Sequence, residues 1–168
     1  MDANEVVAVL TTLADAGVDS WLCGGWGIDA LLGERTRHHH DLDIGIWSGH
    51  EPAAMAALAA DGFTMAARDD LRPVRFVMRD STGRTVEVYP LDFEPDGSAT
   101  QANMDGLPAF RYPATELVSG VVGGFAVQCI SAELQLQFHL GYEPSDIDRS
   151  DMDALHDRLG LTLEPPYA

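Results

Sequence analysis

"CGGWGIDALLGERTRHHHDLDIGIW", Cys23 to Trp47, is the stretch on which the reading of this chain turns. Its last seven residues, Asp41–Trp47, alternate polar and apolar. That is the period of a β-strand with one face in a core. Successive strand side chains point to opposite faces. Asp41 and Asp43 therefore share one face, and Leu42, Ile44 and Ile46 share the other. At roughly 3.3 Å per residue the two aspartate Cα atoms lie about 6.5–7 Å apart. Two carboxylates this close repel each other and are costly to desolvate. A divalent cation relieves both problems, and carboxylate oxygens beside a phosphate-bearing substrate suit Mg²⁺. The spacing Asp-x-Asp also occurs in calcium loops, but the glycine and distal glutamate of an EF-hand are absent at the required offsets.

A two-metal phosphoryl site calls for a third acid. "TVEVYPLDF", residues 85–93, offers Glu87 between Val86 and Val88. Asp92 is its competitor; it has the opposite parity and follows Pro90, which is expected to end or bulge the strand. Glu87 is favoured as the inward acid, the alternative being an edge-strand glutamate facing water. Ahead of the aspartates, Gly24 and Gly25 end one strand and precede a helix. Glycine lets backbone N–H groups approach a phosphate, and a helix N-terminus adds a favourable dipole. The pair fits the tail of a nucleoside triphosphate, although neither GxxxxGK[ST] nor GxGxxG is present and a plain tight turn is the alternative. Arg37 is placed to neutralise phosphate oxygens; a solvated cationic loop is the other reading. His38, His39 and His40 are adjacent and cannot all face one ion.

Working outward, Val6, Val9, Leu10 and Leu13 fall at helical spacing over 3–16, with Gly17 as the stop. "SWLC" reads as a short strand and "WGIDALLG" as a helix closed by Gly33. "HEPAAMAALAADG" is a helix with Pro52 in its first turn. "FTMAA", "VRFVMRD" and "TVEVYPLDF" read as strands, the last two joined through "STG". "GFAVQCI" is a further strand. "SAELQLQFHLGY" reads as a helix with Ser131 as N-cap, and "SDIDRSDMDALHDRLG" as a final amphipathic helix ending at Gly160. Most of the acids of that last helix are expected on its solvated face, and Asp148, Asp151 and Asp153 are not expected to be catalytic. The order gives an α+β (α/β) chain: a mixed β-sheet flanked by helices, in a single domain over 1–168 whose C-terminal helical part is about 131–160.

Composition narrows the class. The chain has 168 residues, 27 acidic against 10 Lys and Arg, and a formal charge of −17. Such a surface is not the basic footprint that nucleic acid needs; a cationic small molecule or a divalent metal suits it better. No apolar run approaches a membrane span. The opening "MDANEVVAVL" lacks the basic start of a secretory leader. The two cysteines, Cys23 and Cys129, form no zinc pattern and read as buried thiols. A cytoplasmic location is expected.

Taken together, "GGWGIDALLGERTRHHHDLDI" resembles the signature of the antibiotic nucleotidyltransferases that adenylylate lincosamides and certain aminoglycosides, within the polymerase-β-like nucleotidyltransferase superfamily. Gly24, Gly25, Trp26, Asp29, Ala30, Thr36, Arg37, His39, Asp41, Asp43 and Ile44 stand at the matching positions. "VEVYPLDFEPDG" is similar to the segment bearing the third acid of the lincosamide type, and residues from 123 onward to its C-terminal part. Residues 50–80 and 97–120 match loosely. The resemblance implies a nucleotidyltransferase fold, transfer of AMP from ATP to a hydroxyl with release of pyrophosphate, and a small hydroxylated antibiotic as acceptor, a lincosamide ahead of an aminoglycoside. It implies Asp41, Asp43 and Glu87 as catalytic, metal-holding acids around two Mg²⁺ ions. Gly24 and Gly25 would donate to the phosphates, Arg37 would balance charge, and His39 would contact phosphate or order the loop. Trp26 would pack behind the glycine turn and Asp29 would cap or order the loop. A homodimer is also implied. The family commonly has aspartate where this chain has Glu87. That departure keeps open the reading of a catalytically silent nucleotide-binding domain; a minimal nucleotidyltransferase that modifies protein is a further alternative.

Overall fold

Residues 1–104 and 106–168 are described by the computed structural model. Helix α1, Ala3–Asp15, starts at a reciprocal cap: the Asp2 side chain accepts from the Glu5 backbone N–H, and the Glu5 side chain from that of Asp2. Such a box satisfies two orphan donors of the first turn. Strand β1, Ser20–Leu22, leads into helix α2, Gly24–Leu32, which ends on Gly33 at φ +73°. Strand β2, Asp41–Trp47, and helix α3, Glu51–Ala60, follow. Then come β3, Thr64–Met65, β4, Phe76–Arg79, β5, Thr85–Phe93, β6, Ala99–Gln101, β7, Phe110–Tyr112, β8, Leu117–Val122, and β9, Phe125–Ile130. Helices α4, Ala132–Phe138, and α5, Asp146–Leu159, complete the chain's regular elements.

The strands form one mixed sheet in the order β3-β4-β5-β2-β1-β9-β8, with β6 on the far end of β5 and β7 on β6. The central pair β2 and β5 is parallel, with Asp43 opposite Glu87 and Ile44 opposite Val88. Strands β1 and β9 are also parallel, whereas β1 and β2 are antiparallel. The mixed sheet and its flanking helices agree with the fold class expected from the sequence. The main core lies on one side of the central strands. There Leu42, Ile44, Ile46, Val86 and Val88 meet Val6, Val9 and Leu13 of α1 and Ala54 and Leu58 of α3. Full burial of each large aliphatic side chain contributes roughly 1.5–3 kcal/mol. A second apolar cluster joins Ile28 of α2 to Leu136 of α4 and Met152 and Leu155 of α5. It fixes the C-terminal helices against α2, on the side of the molecule that carries the candidate site.

Four expectations are revised. Pro90 neither ends nor bulges its strand; β5 runs through it to Phe93. Its place in the ladder explains this: β4 pairs with β5 up to Val88, and β6 takes over from Leu91. Pro90 thus sits at the handover, where a missing N–H leaves no antiparallel partner wanting. Helix α4 stops at Phe138 instead of reaching Tyr142. The His139 ring takes up the Gln135 carbonyl at 2.7 Å, and Gly141 adopts φ +95°, which no helix accommodates. Strands β6, β7 and β8 were not foreseen; two of them are three residues long. Finally, Asp151 is not on a solvated face of α5. It is 4% exposed.

Candidate active site

The face of β2 and β5 opposite the main core carries the acids. Alternation aims Asp41 and Asp43 of β2 that way, and the parallel register sets Glu87 beside Asp43. Tyr89, two residues beyond Glu87 and hence on the same face, brings its hydroxyl to 3.2 Å from both Asp43 Oδ1 and Glu87 Oε2. Burial, then the neighbouring charges of Asp41 and Glu87, push the Asp43 carboxyl up to about 7. Such a shift is expected where like charges crowd in a poorly solvated place. Asp92 lies outside this group: it is exposed, and the Ser48 hydroxyl donates to it at 2.5 Å.

Three carboxylates on one face are a hard oxygen donor set, which fits a divalent cation such as Mg²⁺. The crowding that raises Asp43 is the energetic debt such an ion would cancel. Among the described residues, though, no three acidic, histidine or cysteine side chains close into an ion-sized cage. Glu87 instead turns toward the start of β4, where Arg75, the residue before the strand, donates to its Oε2 at 2.9 Å.

The glycine pair makes two close approaches possible. Gly24 has φ +54°, and a Cβ there would fall 2.4 Å from Asp43 Oδ2. A Cβ on Gly25 would fall 2.4 Å from His39 Nδ1 and 2.5 Å from Arg37 Nη2. Any side chain at either position would collide with the groups the turn is built around. The turn is also tied to the sheet, since the Cys23 N–H donates to the Asp43 carbonyl at 2.9 Å. From α4, Gln135 donates to the Gly24 carbonyl at 3.2 Å. Beside the turn and Asp43 opens a cleft of about 240 Å³, walled by Phe110, Tyr112 and Phe138.

The residues between the glycines and the aspartates form the support of the turn. Asp29 accepts from the Thr36 backbone N–H at 3.0 Å and its hydroxyl at 2.6 Å, and from His39 Nε2 at 2.5 Å. Burial raises the Asp29 pKa, but those hydrogen bonds outweigh it and hold the carboxyl below its ordinary value. The loop-ordering role expected for Asp29 is therefore seen. His39 is 2% exposed and its ring lies against Trp26, centroids 4.7 Å apart. Trp26 is itself buried, in the core as expected. Arg37 stands next to Gly25, but its guanidinium is engaged: Nε and Nη2 donate to the two oxygens of Asp151 at 2.9 and 2.7 Å. That forked pair raises the Arg37 pKa further. It also ties α5 to the loop across 114 residues of sequence.

The structure thus brings together Gly24, Gly25, Asp41, Asp43 and Glu87, and sets His39 and Arg37 directly behind the turn. Arg75, Tyr89, Gln135 and Asp151 were missed. Tyr89 could have been found by alternation from Glu87. Counting back from the "STG" turn would have put Val77 opposite Glu87 and Arg75 on the same face, as the register does. Nothing local marks Gln135 or Asp151.

A sheet-borne pair of aspartates beside a glycine turn that opens a helix defines a nucleotidyltransferase. A sequence model of the aminoglycoside-2''-adenylyltransferase family matches residues 5–155, and the chain belongs to that family. It is 29% identical over 152 residues to the lincosamide resistance protein of Staphylococcus haemolyticus, covering 90% of this chain and 92% of that one. To the 2''-aminoglycoside nucleotidyltransferase of Escherichia coli it is 29% identical over 138 residues, covering 79% of this chain and 71% of that one. Among solved structures, the lincomycin-bound lincosamide antibiotic adenylyltransferase LnuA superposes with a TM-score of 0.81 at 29% identity, covering 90% of this chain and 94% of that one. The antibiotic-resistance factor ANT(2'')-Ia shares the fold at a TM-score of 0.75 and 18% identity, over 95% of this chain and 86% of that one. The family resemblance read from Gly24 to Ile44 is borne out.

Proposed function

We propose that this chain transfers AMP from ATP to a hydroxyl of a small antibiotic, a lincosamide ahead of an aminoglycoside, and so inactivates it. The observation that carries the reading is the pairing of Asp43 with Glu87 across parallel strands, directly beneath the Gly24 turn. The likeness to a lincosamide resistance protein over nearly the whole of both chains favours the lincosamide side.

In this reading Asp41 and Asp43 hold Mg²⁺, with two ions in the complete site. Bound there, Mg²⁺ would neutralise charge on the triphosphate and polarise its phosphorus. Gly24 and Gly25 offer backbone N–H groups to the phosphate oxygens, at the positive end of α2. Arg37 adds a fixed positive charge behind the turn while Asp151 keeps it in place. His39 and Asp29 act on the phosphates through the turn they support. Glu87 takes the proton of the attacking hydroxyl or serves as the third metal-holding acid. The attacking oxygen forms its bond to the α-phosphorus as the bond to the pyrophosphate oxygen breaks. The cytoplasm, where ATP is available, is the compartment that suits this reaction.

The test is incubation of the protein with ATP, Mg²⁺ and a panel of lincosamides and aminoglycosides, following pyrophosphate and the mass of each drug. The expected result is one added adenylyl group on at least one lincosamide. ATP binding without pyrophosphate release on any acceptor would remove the antibiotic reading.

A further inference from the structure

Glu87 carries an unusual load on one of its two oxygens. Oε2 receives Arg75 Nη1 at 2.9 Å and the Tyr89 hydroxyl at 3.2 Å. Among the described residues nothing donates to Oε1. Arg75 is itself held from behind, because its backbone exchanges hydrogen bonds with Leu71 at 2.9 and 3.3 Å. Tyr89 cannot swing freely either, since it sits on β5 opposite Gly45 and its hydroxyl also reaches Asp43. The carboxylate is therefore gripped at one corner by the Arg75 guanidinium, just ahead of β4, and by the Tyr89 hydroxyl of β5, whose single proton is shared with Asp43.

That grip bears on which task Glu87 performs. A cation bound at Oε2 would have to displace a guanidinium and a phenol, and would face the guanidinium's positive charge at close range. Arg is always charged, so the obstacle does not titrate away. The clamp leaves Oε1 as the oxygen free to accept a proton. Among the described residues, Asp41 and Asp43 carry no such positive partner within hydrogen-bonding distance.

We propose that Arg75 and Tyr89 are positioning residues that keep Glu87 out of the cation's ligand set and present its Oε1 to the acceptor hydroxyl. The inference rests on the nucleotidyl-transfer reading above and narrows it. As the acceptor oxygen bonds to the α-phosphorus and pyrophosphate departs with the electrons of the broken P–O bond, the hydroxyl proton passes to Glu87 Oε1. The cation is left to two carboxylates and the nucleotide. The longer reach of glutamate over aspartate has a use here: it lets the carboxylate contact Arg75, just ahead of the neighbouring strand, while remaining on the site face.

The experiment separates proton acceptor from metal ligand. Mn²⁺ is titrated by electron paramagnetic resonance into the full-length protein holding α,β-methylene-ATP, which cannot react, so that no acceptor is needed. Glu87→Gln is expected to leave the Mn²⁺ dissociation constant within about twofold while turnover falls on the order of 10²–10⁴-fold. Arg75→Met is expected to lower kcat at an unchanged KM for ATP, with partial rescue by Arg75→Lys. Tyr89→Phe should act in the same direction more weakly, and it carries the test should Arg75→Met fail to fold. A weakening of Mn²⁺ binding by tenfold or more in Glu87→Gln overturns the inference alone. So does wild-type kcat in both clamp variants. A wild-type protein that takes up no Mn²⁺ overturns the nucleotidyl-transfer reading as well.

Discussion

The two faces of β2 and β5 are made from the same two stretches of backbone and do opposite work. On one, Leu42, Ile44, Ile46, Val86 and Val88 are wholly buried beneath α1 and α3. On the other, Asp41, Asp43, Glu87 and Tyr89 are only partly covered and crowd like charges together. A residue and its chain neighbour therefore differ in kind: one supplies stability and the next spends some of it. The lesson is that a strand's period of two lets a rigid core hold a strained electrostatic site at a distance of a single residue. The charged face gains its precision from the apolar one.

The sharpest way to break this division is at Asp43. Asp43→Asn is expected to abolish cation-dependent turnover while leaving the circular dichroism spectrum unchanged. Retained activity would move the cation elsewhere. Glu87→Gln comes next, with a loss on the order of 10²–10⁴-fold in kcat; normal turnover would take the base role away from Glu87. On the apolar face, Ile44→Ala should cost about 2–5 kcal/mol of unfolding free energy by leaving a cavity. Per folded molecule it should keep kcat within a few-fold. If a urea titration shows little destabilisation but turnover collapses, the two faces are not separable.

A further test lies in the pH dependence of stability. Asp43 titrates at about 7 in the folded protein against an ordinary 3.8. Between those values the folded chain holds a proton that the unfolded chain has lost. Stability of the cation-free protein should then fall as pH rises through that window and level off above it. Asp29 works the other way: its lowered pKa gives stability that disappears as pH drops through the acid range. Thermal melts at pH 5 and pH 8 test the first of these. The wild-type midpoint should drop more between them than that of Asp43→Asn, and equal drops would count against a protonated Asp43.

What could be read from sequence was local. The Asp41–Trp47 alternation, the Gly33 and Gly160 stops and the Ser131 cap each depend on a few neighbouring residues, and each is found in place. The supporting role of Asp29 was legible because its partners lie within ten residues. Asp151 was misplaced because the helix that carries it is polar on most sides, and its partner Arg37 is remote in sequence. The clamp on Glu87 needed the β4–β5 register. Strands β6 and β7 are too short for an alternating pattern to show, and β8, "LVSGVV", has a glycine where alternation would speak.

The remote ties to the glycine turn have a consequence during synthesis. Gln135 reaches back to Gly24, and Asp151 to Arg37, over 111 and 114 residues. A nascent chain that has emerged as far as Trp47 already displays its entire signature, yet the turn lacks both its braces. Neither is in place until the last two helices have left the ribosome and docked. The signature is written early and becomes a working site late, so a prematurely released fragment would carry the motif without the shape it requires.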